Sequence, residues 1–149
     1  MKEKYQFGFQ IWGLIVFVIV MIPNFIWFAV PASNDILRTS SMTPRLDMVA
    51  SIFQVIMVAL LCIIKNKDAN PMKISKWIIL SGVCILLYYI SWGLYYSGLT
   101  SPITILGLTV PPCLTFLFFA IDRENIIAVF PTIAFGICHL IYGIVNYIA

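Results

Sequence analysis

Charge is scarce in this chain: Asp, Glu, Lys and Arg make up 10% of its 149 residues, against 62% that are hydrophobic. Soluble domains hold about 25% charged and about 45–50% apolar residues, so a water-soluble globule is excluded and an integral membrane protein remains. Histidine occurs once, at His139, and one histidine cannot build an H-E-x-x-H metal helix. The cysteines Cys62, Cys84, Cys113 and Cys138 fall one each in four apolar segments, with no C-x-x-C pair. Dithiol redox chemistry and close-spaced zinc sites both need such a pair, so four reduced thiols are expected. No G-x-S-x-G elbow surrounds Ser91, and none surrounds Cys113, as a hydrolase built on His139 would require. Paired carboxylates are missing too: Asp47 stands alone, and Asp122 and Glu124 share a tight turn. The chain is therefore expected to be no enzyme, and to use no cofactor, no metal and no nucleic-acid partner.

Long apolar runs are what the chain has in abundance. A helix needs roughly 20 apolar residues to cross the hydrocarbon core. Five stretches qualify, at about 9–30, 47–64, 74–97, 103–121 and 125–148. Alternating ten-residue segments, the mark of a membrane barrel, are missing. The sequence thus predicts an all-α, polytopic bundle of five transmembrane helices forming one domain. The first run exceeds the ~7–15 apolar residues of a signal peptide and ends in Trp27 and Phe28, an interface anchor. It reads as a retained helix.

Basic residues orient the bundle. Lys2 and Lys4 precede the first span, Lys65, Lys67, Lys73 and Lys76 lie around the second loop, and Arg123 lies in the fourth; only Arg38 and Arg45 fall on the other side. The positive-inside rule places the N-terminus in the cytoplasm and the C-terminus outside, in the plasma membrane. The short third and fourth loops, "GLTSP" and "DRE", predict antiparallel hairpins of spans three with four and four with five. Loop one is longer, as functional lids often are, although a solvated connector has the same length. Its "SNDILR" offers Ser33 or Asn34 as cap of a short turn, and Thr43-Pro44 reads as an N-cap followed by a proline in the first helical turn.

Polar and helix-breaking residues survive in lipid only where neighbouring protein satisfies them. Span five carries Thr132, Gly136, His139, Gly143 and Asn146 at four- and three-residue spacing, hence on one face. This stripe reads as a helix-packing seam of small and polar residues, or, at His139, as a ligand contact or proton-responsive group. Asp47, Ser51 and Gln54 share a face of span two. Asp47 suits the positive helix end, whereas Gln54 is deeper and requires a partner. Span three is aromatic: Tyr88 and Trp92 share a face with Ser81, Cys84 and Tyr95, while Tyr95 and Tyr96 fit the interface belt. That face either lines a pocket or fills the core. Pro23, Pro111, Pro112 and Pro131 interrupt helical donors, and Pro111-Pro112, near mid-span, predicts a helix deformation. Asn24, beside Pro23, is expected to face either a ligand or Gln54.

Ion-coupled carriers need an intramembrane ionisable group, and only His139 answers that description. A binding protein fits better. The expected pocket takes a lipid or other amphipathic small molecule, opens toward the outer face and is lined by Asn24, Gln54, Tyr88, Trp92 and His139. Movement of that molecule across or within the membrane stays open beside binding, and the same seams would serve an accessory or regulatory subunit packed on a larger membrane transporter or sensor, or a homo-oligomer. In span count, length and the long loop after span one, the chain resembles the TspO/translocator family. "MTPRLDMVASIFQ" is similar to that family's proline-containing approach to span two, and Pro131 with the polar stripe is similar to its last helix. Loop one departs from the family, lacking its tryptophan and paired prolines. The resemblance implies tetrapyrrole- or sterol-like ligands.

Overall fold

The computed structural model describes residues 3–149, so Lys2 lies outside the described residues. Five helices, each long and apolar enough to span a membrane, make up the fold: α1 (Ile11–Ala29), α2 (Pro44–Ile63), α3 (Lys76–Tyr96), α4 (Pro102–Asp122) and α5 (Ile126–Tyr147). Large apolar side chains cover their outward faces. Leu86, Val55 and Phe130 are 61%, 69% and 74% exposed, as suits contact with lipid tails that are themselves as apolar as leucine.

Helix α4 is the centre of the bundle. Its apolar window is 61% buried, against 17–28% for the other four. It packs against α3 on one side and α5 on the other, and α5 also packs along α2. Both tight connections end in the same helix-stop geometry. After α3, Gly98 (φ 92°) donates to Tyr95 O and Leu99 to Leu94 O. After α4, Glu124 (φ 49°) donates to Ile121 O and Asn125 to Ala120 O. These paired bonds satisfy carbonyls that a helix end leaves free, and they require a left-handed residue at the turn. Ser101 and Asn125 then cap α4 and α5 by accepting the Thr104 and Ala128 N–H groups.

Helix α4 is continuous through Pro111 and Pro112, so the deformation expected there does not interrupt the helix. Close packing against α3 and α5 holds the turn that leads into them. A Cβ on Gly107 would collide with Ser91 Oγ of α3, and Thr109 Oγ1 would lie 2.9 Å from a Cβ on Gly143 of α5. Pro23 and Pro131 likewise lie inside continuous helices. Pro44 occupies the first helical turn as expected, but Thr43 makes no side-chain cap; its Oγ1 instead accepts Asn146 Nδ2 at 2.7 Å.

A two-stranded ribbon was not legible in the sequence. Strand β1 (Tyr5–Phe7) pairs antiparallel with β2 (Ile64–Asn66), Tyr5 opposite Asn66 and Phe7 opposite Ile64. Gly8 N–H to Ile63 O (2.9 Å) and Gln10 N–H to Cys62 O (2.7 Å) continue the pairing into the helices. Tyr5 Oη donates to Glu124 O at 3.1 Å, and Asn66 Nδ2 donates to the same oxygen at 3.2 Å. Arg123 reaches Asn70 O from the adjacent turn. One end of the bundle thus gathers Lys4, Lys65, Lys67 and Arg123, while Arg38 and Arg45 belong to the other.

Candidate functional site

Asn24, Gln54, Tyr88, Trp92 and His139 all line one cavity of about 450 Å3 inside the bundle. Ligand sites commonly measure about 300–1,000 Å3. Helix α4 supplies its back wall through Leu108, Thr109, Pro112 and Phe116. Pro112 therefore shapes the cavity even though it leaves the helix unbroken.

Helix α1 is stitched to α3 by two bonds. Asn24 Nδ2 donates to Tyr88 Oη at 2.7 Å, so the partner of Asn24 is Tyr88 and not Gln54. Pro23 has no N–H to offer the carbonyl of Ile19 four residues back. Tyr89 Oη donates to that carbonyl at 2.6 Å. A cross-helix hydroxyl thus replaces the missing helical bond, which is how a breaker is tolerated in lipid.

The expected aromatic face of α3 is its buried face: Ser81, Cys84, Tyr88, Trp92 and Tyr95 are all buried. Trp92 stands edge-on to Tyr88 and Tyr95, with ring centroids 6.3 and 5.6 Å away. Its indole N–H is buried and makes no hydrogen bond of normal geometry, although the Tyr88 hydroxyl, already engaged by Asn24, lies beside it. An unsatisfied buried donor costs about 1–3 kcal/mol. His139 stacks between Phe135 (5.1 Å) and Tyr142 (6.3 Å). Neither His139 nor Gln54 hydrogen-bonds to any other described residue, so three polar groups of the wall have no protein partner.

Loop one crosses one end of this cavity, opposite the ribbon, with Leu37 in the lining. Its short turn is a single 3-10 segment, Ile36–Arg38, preceded by Asp35 and not by Ser33 or Asn34 as the expected cap. The Asp35 carboxylate is the hub. It accepts from Trp27 Nε1 (2.9 Å), Ala32 N–H (3.2 Å), Arg38 Nε (2.7 Å) and Tyr95 Oη (2.8 Å). Burial alone would raise its pKa; the bonds from Trp27, Tyr95, Arg38 and Ala32 outweigh that and hold it below the usual carboxylate value. Arg38 also lies over the Trp27 ring, 4.5 Å from its centroid. Tyr95 is fully buried, which corrects its placement in the interface belt. The apolar ring is covered by the loop, and its hydroxyl also accepts Leu37 N–H at 3.1 Å.

The α5 stripe divides by function. Gly136 and Gly143 meet Cys113 and Thr109 of α4, and Thr132 is buried and donates to Ala128 O at 2.7 Å. These three form the helix seam. Asn146 does not belong to it: it accepts Met42 N–H at 2.6 Å and donates to Thr43, fastening the far end of loop one. Asp35, Tyr142 and Tyr147 were not singled out from the sequence. Asp35 sits within the quoted "SNDILR", but nothing local marks which of its polar residues turns inward. The four cysteines are free thiols, Cys84 and Cys113 buried and Cys62 and Cys138 half-buried.

Chemically, the interior is a chamber of mixed character, apolar on the α4 side through Leu108, Pro112 and Phe116 and polar at Asn24, Gln54, Tyr88 and His139. The Asp35 charge is consumed by its four donors, and Asp47 lies at an exposed rim. No protein-family model, no curated protein and no solved structure matches the chain. The resemblance to the translocator family therefore rests on the residues quoted above alone.

Proposed function

We propose that this protein binds a lipid-soluble amphipathic molecule, with an apolar body and at least one hydrogen-bond acceptor, in the cavity beneath loop one. The observation that carries the reading is the unpaired Trp92 indole in the wall of a mixed apolar and polar cavity. A polar group left unsatisfied in a low-dielectric interior is costly, and a ligand acceptor offsets that cost. His139 and Gln54 add two further partners on facing helices. The tetrapyrrole- and sterol-like molecules implied by the translocator resemblance belong to this class and should be screened with fatty acids and phospholipids.

The protein acts by binding and not by catalysis in this reading, since no nucleophile or carboxylate among the described residues hydrogen-bonds to His139. The basic end of the bundle faces the cytoplasm of a plasma-membrane protein, in keeping with the positive-inside rule, and loop one faces outward. Native mass spectrometry of the gently solubilised protein tests the proposal. A retained molecule of one mass, with thermal stabilisation on adding it back, is expected in the wild type and diminished in Trp92→Phe and His139→Ala. Stabilisation untouched in both variants would place the site elsewhere. Recovery of one stoichiometric protein partner with no small molecule would favour the accessory-subunit reading.

A further inference from the structure

We infer that the molecule enters sideways from the bilayer, between α1 and α2, through a gate made by Met21 and Gln54. This rests on the binding reading above. Met21 and Gln54 line the central cavity and also a second space of about 410 Å3, an apolar groove bounded by Phe17, Val55, Val58 and Ala59. Two side chains therefore separate the chamber from a groove whose wall, Val55, is 69% exposed toward the lipid.

The rest of the cavity boundary is closely packed or bonded: α2 packs along α5, and α4 against α3 and α5. Asn24–Tyr88 and Tyr89–Ile19 tie α1 to α3. Loop one is held at one end by Asp35 with Trp27 and Tyr95, and at the other by Asn146 with Met42 and Thr43. At the basic end, a Cβ on Gly13 would collide with the Leu61 carbonyl, and backbone bonds from Gly8 and Gln10 close the pair. Beyond that end, no side-chain hydrogen bond among the described residues joins α1 to α2. The pair is hinged where it touches and unfastened where the groove lies. Methionine suits such a gate, being unbranched and able to change rotamer at little cost. The unpaired Gln54 amide can accompany a polar headgroup across the threshold.

The test uses the full chain in phosphatidylcholine vesicles and a long-chain fatty acid carrying a photoreactive diazirine, with adducts counted by intact mass and mapped by peptide. Ala59→Phe narrows the groove without touching the central cavity. It is expected to slow adduct formation in the cavity about tenfold, the effect of ~1.4 kcal/mol on a barrier, with an unchanged final yield. Loosening the loop by Tyr95→Phe should leave the rate as in the wild type. In the wild type itself, the earliest adducts should fall on Phe17, Val55 and Val58, a readout independent of any variant. Early adducts on Leu37 or Tyr147, or a wild-type rate in Ala59→Phe together with a faster one in Tyr95→Phe, would overturn lateral entry and leave binding intact. A wild type that never labels within the cavity would overturn both.

Discussion

The hydroxyl of Tyr89 on α3 donates at 2.6 Å to the carbonyl of Ile19 on α1, the carbonyl that Pro23 leaves without its helical partner. Two residues far apart in sequence thus solve one problem together. Tyr89→Phe should cost about 1 kcal/mol, the scale of an interhelical bond in a membrane protein, read as reduced unfolding stability in detergent.

The double-mutant cycle is more specific. In a Pro23→Ala background the Ala N–H can bond Ile19 within the helix, so adding Tyr89→Phe should cost less than it does alone. Equal costs in both backgrounds would mean that the hydroxyl is not compensating for the proline.

Loop one should respond to acid. The Asp35 carboxyl is held below its ordinary value of 3.8 in the folded state, so the folded state binds the proton less readily than the unfolded state. Its stabilisation is then fully present above that ordinary value and is lost as pH falls through the lowered one. Hydrogen exchange across residues 32–42 should stay slow at pH 7 and pH 5, apart from its intrinsic pH dependence, and the protection should drop below pH 4. Asp35→Asn should show weaker protection throughout and no such transition.

Glycines in this chain should divide by what surrounds them. Gly13→Ala forces a methyl into the Leu61 carbonyl and should destabilise by about 1–3 kcal/mol, as overpacking does. Gly82→Ala meets open space and should be neutral or gain up to about 1 kcal/mol from helix propensity. Thermal unfolding of the two variants side by side checks the contrast.

A reporter fused after Ala149 should fall on the side of the membrane opposite Lys65 and Lys67, outside the cytoplasm. Cytoplasmic activity of that fusion would reverse the orientation derived from the lysine distribution.

Hydropathy is a local property, which is why the five helices could be read from the chain to within a few residues of their ends. The cavity lining was legible for a related reason: Asn24, Gln54, Tyr88, Trp92 and His139 stand out in apolar runs because each needs something other than lipid. What escaped was long-range. Asp35 acquires its role only when loop one folds back on Trp27 and on Tyr95, 60 residues away. Asn146 lies on the stripe shared by Thr132 and Gly143, yet it sits at the helix end, where a loop has replaced the neighbouring helix. The surroundings of the α4 prolines, with α3 and α5 in close contact at Gly107 and Thr109, are likewise long-range and announced by no local pattern.

The ribbon of β1 with β2 has a consequence for how the protein is made. Strand β1 emerges from the ribosome before α1, but its mate follows α2, some sixty residues later in synthesis. Until Asn66 is translated, the strand that precedes the first helix has no mate, and the necks of the first two helices stay unjoined. The first two helices therefore mature as one hairpin, drawn shut at its neck by the ribbon.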